Sequence, residues 1–139
     1  MRNILAVAVG GLLGTGLRLV FDLAFPHADH EFPLETLLIN LLGAFALGWL
    51  AGGLWRRPST PAWVKAGVGS GVLGSFTTLS AVMASLVVLE REGAHLTAAL
   101  YLVVSVFAGL AAAAVGLWLG SRIGRRRMPD TITDSGETL

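Results

Sequence analysis

The sequence predicts an all-α membrane protein with four transmembrane helices, the third broken near its middle. Three observations carry that prediction. Of the 139 residues, 54% are hydrophobic and only 14% charged, well under the roughly 25% charged residues of a soluble domain. The apolar residues gather into four runs, each near or above the about 20 residues that a span requires. The third run then departs from what lipid favours, carrying Gly67, Gly69, Gly71 and Gly74 among Ser70, Ser75, Thr77, Thr78 and Ser80. Loosened backbone survives in hydrocarbon only where protein or a water-filled cavity surrounds it, because each orphaned N–H or C=O is costly there. Discontinuous helices of this kind often coordinate ions with their freed carbonyls, so function is expected at this break.

The spans fall at 4–25, 34–54, 64–89 and 96–123. The first is longer than the apolar core of a secretory signal, and three similar runs follow it, so it reads as a retained helix. A short acidic connection with His27 and His30 leads to the second span. The second connection, 55–63, holds Arg56, Arg57 and two prolines between Trp55 and Trp63, a composition suited to the membrane interface. The third connection is again short and mostly acidic. After the fourth span come Arg125, Arg126 and Arg127, opening a polar tail over 125–139 that is expected to be disordered. The membrane domain therefore occupies 1–124.

Small residues recur four apart at Gly10/Gly14, Gly48/Gly52, Gly67/Gly71 and Gly116/Gly120. Such pairs let helix backbones approach closely in lipid. Four helices of this length enclose little space alone, so a working pore or carrier needs a second subunit.

Charge placement sets an orientation. With four spans, both termini and the second connection share one side of the membrane. Arg2, Arg56, Arg57, Lys65, Arg122, Arg125, Arg126 and Arg127 all lie there, against Arg91 alone on the other side. Basic residues stay cytoplasmic. Both termini are thus expected in the cytoplasm, in a single orientation, with the tail arginines also suited to lipid headgroups.

Several polar residues fall within spans. Asn40 reads either as helix–helix glue or as a pore donor. Arg18, costly near a helix centre, is placed to snorkel or to pair with Asp22 four residues on. Thr77, Thr78 and Ser80 offer hydroxyls that either bond one turn back or line a path. Tyr101 and Ser105 are four apart and share a face. The chain has no cysteine, which removes disulfide and thiolate chemistry. No cluster of His, Asp or Glu has metal-ligand spacing, and no nucleophile–base set is visible. Permeation, not catalysis, is the expected class.

At this point the residues resemble a known family. Gly10-Gly-Leu-Leu-Gly14 with Arg18, Pro33-Leu-Glu-Thr-Leu-Leu-Ile-Asn40-Leu-Leu-Gly43 and Gly71-Val-Leu-Gly74-Ser-Phe-Thr77-Thr78-Leu-Ser80 are similar, in order, to the signatures of the CrcB or Fluc fluoride channels. The resemblance implies a passive, fluoride-selective channel of the plasma membrane that lowers fluoride toxicity. It implies an antiparallel dimer around a structural sodium ion, held by the backbone carbonyls of Gly74 and Thr77 and their counterparts on the partner. Glycine at position 74 is expected to allow an unusual backbone angle that exposes its carbonyl. By the same resemblance Asn40, Ser80, Tyr101 and Ser105 line the fluoride path, and Arg18 belongs to a vestibule.

One departure matters. After the paired threonines the family usually reads Phe-Ser-Thr-Phe, and its two phenylalanines face the fluoride path with electropositive ring edges. Here Leu79 and Val82 stand at those positions, and Gly109 and Ala112 thin the polar track further. Together with the one-sided charge, this favours a heterodimer with a homologous subunit inserted the opposite way over a self-sufficient homodimer of both orientations. A small proton-coupled multidrug transporter also has four short helices, but it needs a carboxylate deep in the first span. Asp22 lies too near the end of that span to serve.

Overall fold

The computed structural model describes residues 1–24 and 32–125. His27 and His30 of the first connection, and nearly all of the expected polar tail, including Arg126 and Arg127, lie outside the described residues. Helix α1 is Arg2–Ala24 and α2 is Leu34–Gly52, followed by a short 3-10 turn at Leu54–Arg56. The third span starts as α-helix at Ala62–Lys65, widens to a π-helix over Ala66–Leu73 and closes with one tight turn at Gly74–Phe76. This rod, residues 62–76, is α3. After Thr77 and Thr78 the chain resumes as α4, Leu79–Arg91, and α5 is His95–Arg125. Among the described residues, four segments are long and apolar enough to cross a membrane: Arg2–Ala24, Leu34–Arg56, Ala62–Arg91 and His95–Ile123. They match the four sequence runs, with the third broken as expected. The last helix keeps its geometry through Arg125, one residue into the expected tail.

The four glycine pairs resolve into two interfaces. On α1, a Cβ at Gly10 would overlap the Gly67 carbonyl, and one at Gly14 the Val72 carbonyl. From the other side, Gly71 approaches the backbone of Val7 and Gly10. The second interface joins α2 to α5: Gly48 meets the carbonyl of Ala113, Gly52 that of Leu117, Gly116 that of Phe45 and Gly120 that of Trp49. Backbone-to-backbone packing of this kind supplies dispersion contacts that lipid cannot compete for.

Helix α4 ties the two pairs together. Its N-terminus is capped by Thr78, whose side chain accepts a hydrogen bond from the Ala81 N–H, the third amide of the helix. Its end is a glycine cap: Gly93 has φ 75°, the Gly93 N–H bonds Glu90 O at 3.1 Å, and the Ala94 N–H bonds Leu89 O at 2.9 Å. That pair of bonds satisfies carbonyls that the helix end would otherwise orphan. The turn delivers α5 back against α2 and α4, where Leu37, Val82, Leu89, Ala98 and Tyr101 form the buried core, flanked by Phe32, Leu41, Leu86 and Ala94. Many of the other large apolar side chains, such as Leu12 and Leu19 on α1 and Phe107 and Leu110 on α5, face outward.

Candidate functional site: the break in the third span

The break is made by two extended residues, Thr77 at φ −83°, ψ 152° and Thr78 at φ −152°, ψ 125°. Local chemistry fixes where it occurs. Thr77 turns its hydroxyl back onto the Leu73 carbonyl at 2.9 Å, which already accepts the Thr77 amide at 3.0 Å. The next amide does not continue the helix. Thr78 N–H donates instead to Asn40 Oδ1 at 2.8 Å, and Asn40 Nδ2 donates to the Thr78 carbonyl at 3.0 Å. The Asn40 side chain thus pairs with the broken backbone as a second peptide would. Of the two readings of Asn40, the structure shows the glue, and one amide hydrogen is left over for a further acceptor.

These captures release two carbonyls. In a continuous helix Gly74 O would take the Thr78 amide and Thr77 O the Ala81 amide. The first of those donors is held by Asn40, and the second by the Thr78 hydroxyl at 3.3 Å. Gly74 itself departs from the expectation set out above. It has φ −66° and ψ −26°, ordinary helical values, so its carbonyl is freed by the diverted Thr78 amide and not by an angle that only glycine reaches. A Cβ there would meet only Gly69 O, at 3.6 Å. The glycine that the break does require is Gly43, whose Cβ would overlap the Thr77 methyl. The sequence signal for Gly43 is its place three residues after Asn40, on the same helix face.

Arg18 caps the end of α3 from the side. Its Nη1 donates to the Phe76 carbonyl at 3.4 Å, while its Nε lies 3.5 Å from Asp22 Oδ2. The i,i+4 pair read from the sequence is present, and the guanidinium also reaches a carbonyl that the break deprives of its helical donor. Phe76 itself is buried edge-to-face against Phe21, ring centroids 5.8 Å apart.

A groove of about 560 Å³ opens beside the break. Asn40, Thr77, Thr78 and Ser105 supply its polar wall, and Gly74, Leu79, Val82, Val106 and Gly109 also line it. Leu79 is 71% exposed, whereas Val82 is 4% exposed and belongs to the core. Ser80 connects to this wall through Thr78, with the two hydroxyls 2.8 Å apart. Tyr101 is not on the wall. It is fully buried behind it, edge-on to Phe32 with centroids 5.3 Å apart. The Tyr101 hydroxyl and Ser105 Oγ are both buried, without a hydrogen-bond partner among the described residues. Ser85 and Ser105 face the phenol, but neither closes a hydrogen bond with it. Ser85 was missed at the sequence level, although it follows Val82 by three residues on one face of α4.

Four apolar spans, glycine-zipped in pairs around a helix break with freed carbonyls, define a multi-pass membrane protein. The chain belongs to the CrcB family: the family described as CrcB-like protein, Camphor Resistance (CrcB), matches residues 5–117. Among its relatives, the fluoride-specific ion channel FluC 2 of Geobacillus kaustophilus is 40% identical over 113 residues, covering 81% of this chain and 88% of the relative. The fluoride-specific ion channel FluC 1 of Bacillus cereus is 36% identical over 94% of this chain and 97% of the relative. A FluC from Hyphomonas neptunium is 38% identical over 88% of this chain and 98% of its own length.

Proposed function

We propose that this chain is one subunit of a fluoride-selective channel of the plasma membrane that lets cytoplasmic fluoride leave passively and so lowers fluoride toxicity. The observation that carries the reading is the break at Thr77 and Thr78, with Asn40 clamped on it and a hydroxyl-bearing groove beside it. Fluoride holds its hydration shell tightly, so a selective path has to offer replacement donors at close quarters. The unused Asn40 amide hydrogen and the hydroxyls of Ser80, Tyr101 and Ser105 are donors of that kind. In this reading the buried, unpartnered hydroxyls of Tyr101 and Ser105 are held ready for an anion or its water. Arg18, beside the end of α3, adds positive potential at the vestibule.

The subunit works as half of an antiparallel dimer, with both termini cytoplasmic. The carbonyls of Gly74 and Thr77 suit a hard monovalent cation, and together with their partner counterparts they would hold a structural sodium ion. That ion supplies positive charge and cross-linking at the interface between subunits. The partner is a homologous subunit that brings the aromatic lining this chain lacks at Leu79 and Val82. The test is fluoride efflux from liposomes containing the complete assembly. Efflux is expected to need a charge-balancing ionophore; efflux that follows an imposed proton gradient with no electrical component contradicts a channel.

A further inference from the structure

At the end of the bundle where the second connection meets the N-terminus, every described charge is positive. Arg2 opens α1, Arg56 and Arg57 follow α2, Lys65 lies early in α3 and Arg122 near the end of α5. The described acids, Asp22, Glu35, Glu90 and Glu92, all belong to the opposite end. The four tryptophans of the chain, Trp49, Trp55, Trp63 and Trp118, share the basic end. Two of them are stacked with arginines: the Arg2 guanidinium carbon lies 5.7 Å from the Trp63 ring centroid, and that of Arg122 lies 3.7 Å from the Trp118 centroid. Lys65 Nζ donates to Trp55 O at 2.7 Å, tying the connection to α3.

Indole rings settle at the headgroup level of a bilayer. An arginine stacked on such a ring is held at the same depth. Stacking occupies the face of the guanidinium and leaves its edge N–H donors directed outward, in the geometry that suits phosphate oxygens. With no described carboxylate nearby to compete, the surface attracts net negative charge. We propose that this end is a docking surface for acidic phospholipid headgroups, which gather around it in preference to zwitterionic ones. The inference rests on the chain crossing a membrane and is independent of what it conducts.

The four tryptophans of this chain all lie at this end, and Trp49, Trp63 and Trp118 are 42%, 40% and 51% exposed, so with any tryptophan of the partner subunit replaced by phenylalanine, quenching by brominated lipid reads the lipid composition around this end. The purified assembly is reconstituted from detergent into two matched bilayers of phosphatidylglycerol and phosphatidylcholine. In one only the phosphatidylglycerol is brominated, in the other only the phosphatidylcholine. Per mole of brominated lipid, phosphatidylglycerol is expected to quench more, by about twofold or beyond, as surface-basic segments enrich anionic lipid. The excess should shrink as salt rises from about 0.1 M to about 1 M, where the screening length contracts to a few ångströms. It should also shrink in the Arg2→Gln/Arg56→Gln/Arg57→Gln/Arg122→Gln variant in the same bilayers. Equal quenching by the two lipids, or an excess indifferent to both salt and substitution, overturns the proposal. The salt series with this chain unsubstituted stands by itself if the variant does not fold.

Discussion

At the scale of single residues, the site is governed by which acceptor takes each amide. Asn40 holds both polar groups of the Thr78 peptide. Replacing it with Ala leaves that N–H and C=O without those partners; both are partly buried, so the cost is below the about 1–3 kcal/mol of a fully buried unsatisfied group. The expected result is a lower thermal or denaturant midpoint together with loss of fluoride efflux. Asn40→Asp keeps the acceptor for Thr78 N–H but sets a carboxylate against the Thr78 carbonyl and removes the donor offered to an anion. It should therefore abolish efflux at least as completely. Efflux at the native rate in either variant, at equal protein in the liposomes, would remove Asn40 from the path and from the clamp. Asn40 also marks the limit of sequence reading. Its residue type fits both glue and donor, and only its distance to Thr78, 38 positions away, shows that it performs the first while keeping a hydrogen for the second. At Gly74 the carbonyl loses its helical donor at ordinary helical angles and not at the special angle expected, because which amide is captured at a break depends on a tertiary partner. Tyr101, placed on the polar track by resemblance, stands behind the wall because its ring is drawn into the core by Phe32.

At the scale of helices, the sequence was far more legible. Span number, span order and the four small-residue pairs follow from composition and spacing, because lipid imposes one hydrophobic length and tight packing demands small residues. What spacing could not give was the pairing, since any glycine ridge fits any other; α1 against α3 and α2 against α5 emerge only from the folded chain. The pairing leads to a contrast between positions. Gly48→Ala sets a Cβ into the Ala113 carbonyl and should destabilise by about 1–3 kcal/mol, as overpacking does. Gly16→Ala meets nothing within 4 Å and should be neutral or stabilising by up to about 1 kcal/mol through helix propensity. Unfolding of the two variants in detergent, side by side, tests this; equal loss of stability would mean that the glycine contacts do not hold the pairs together. The break obeys a helical logic of its own, since the carbonyls of Gly74 and Thr77 lose their donors within one turn of each other. If they share a sodium ion with a partner, prolonged sodium removal should loosen the dimer and stop efflux while leaving the helical content of each subunit unchanged. Assembly and efflux that persist without sodium count against the ion. Gly74→Ala sharpens the same point, because the single chain has room for that methyl. Any fall in dimerisation then reads contact across the interface.

At the scale of the whole molecule, charge and lining act together. The eight-to-one basic bias is expected to drive insertion in one direction, whereas an antiparallel pair of identical chains needs both orientations in comparable amounts. The groove bears on the same question. Leu79 is exposed on its wall, so Leu79→Phe can restore one ring without strain. Val82, at 4% exposure, is committed to the core, and a phenylalanine there would overpack it at about 1–3 kcal/mol. Position 82 is thus a core position in this chain, and under the proposed pairing the aromatic lining comes from the homologous subunit. The expected behaviour follows when the chain is expressed alone in a fluoride-sensitive cell with a topology tag at the C-terminus. The tag should be found only in the cytoplasm, and resistance should return only when a homologous subunit with its phenylalanine pair intact and the opposite basic bias is supplied. Full resistance from this chain alone, with tags on both sides of the membrane, would establish the homodimer and refute the pairing. A cytoplasmic tag with full resistance would show instead that an aromatic-poor path conducts in a parallel assembly, and the antiparallel arrangement would then have to be given up.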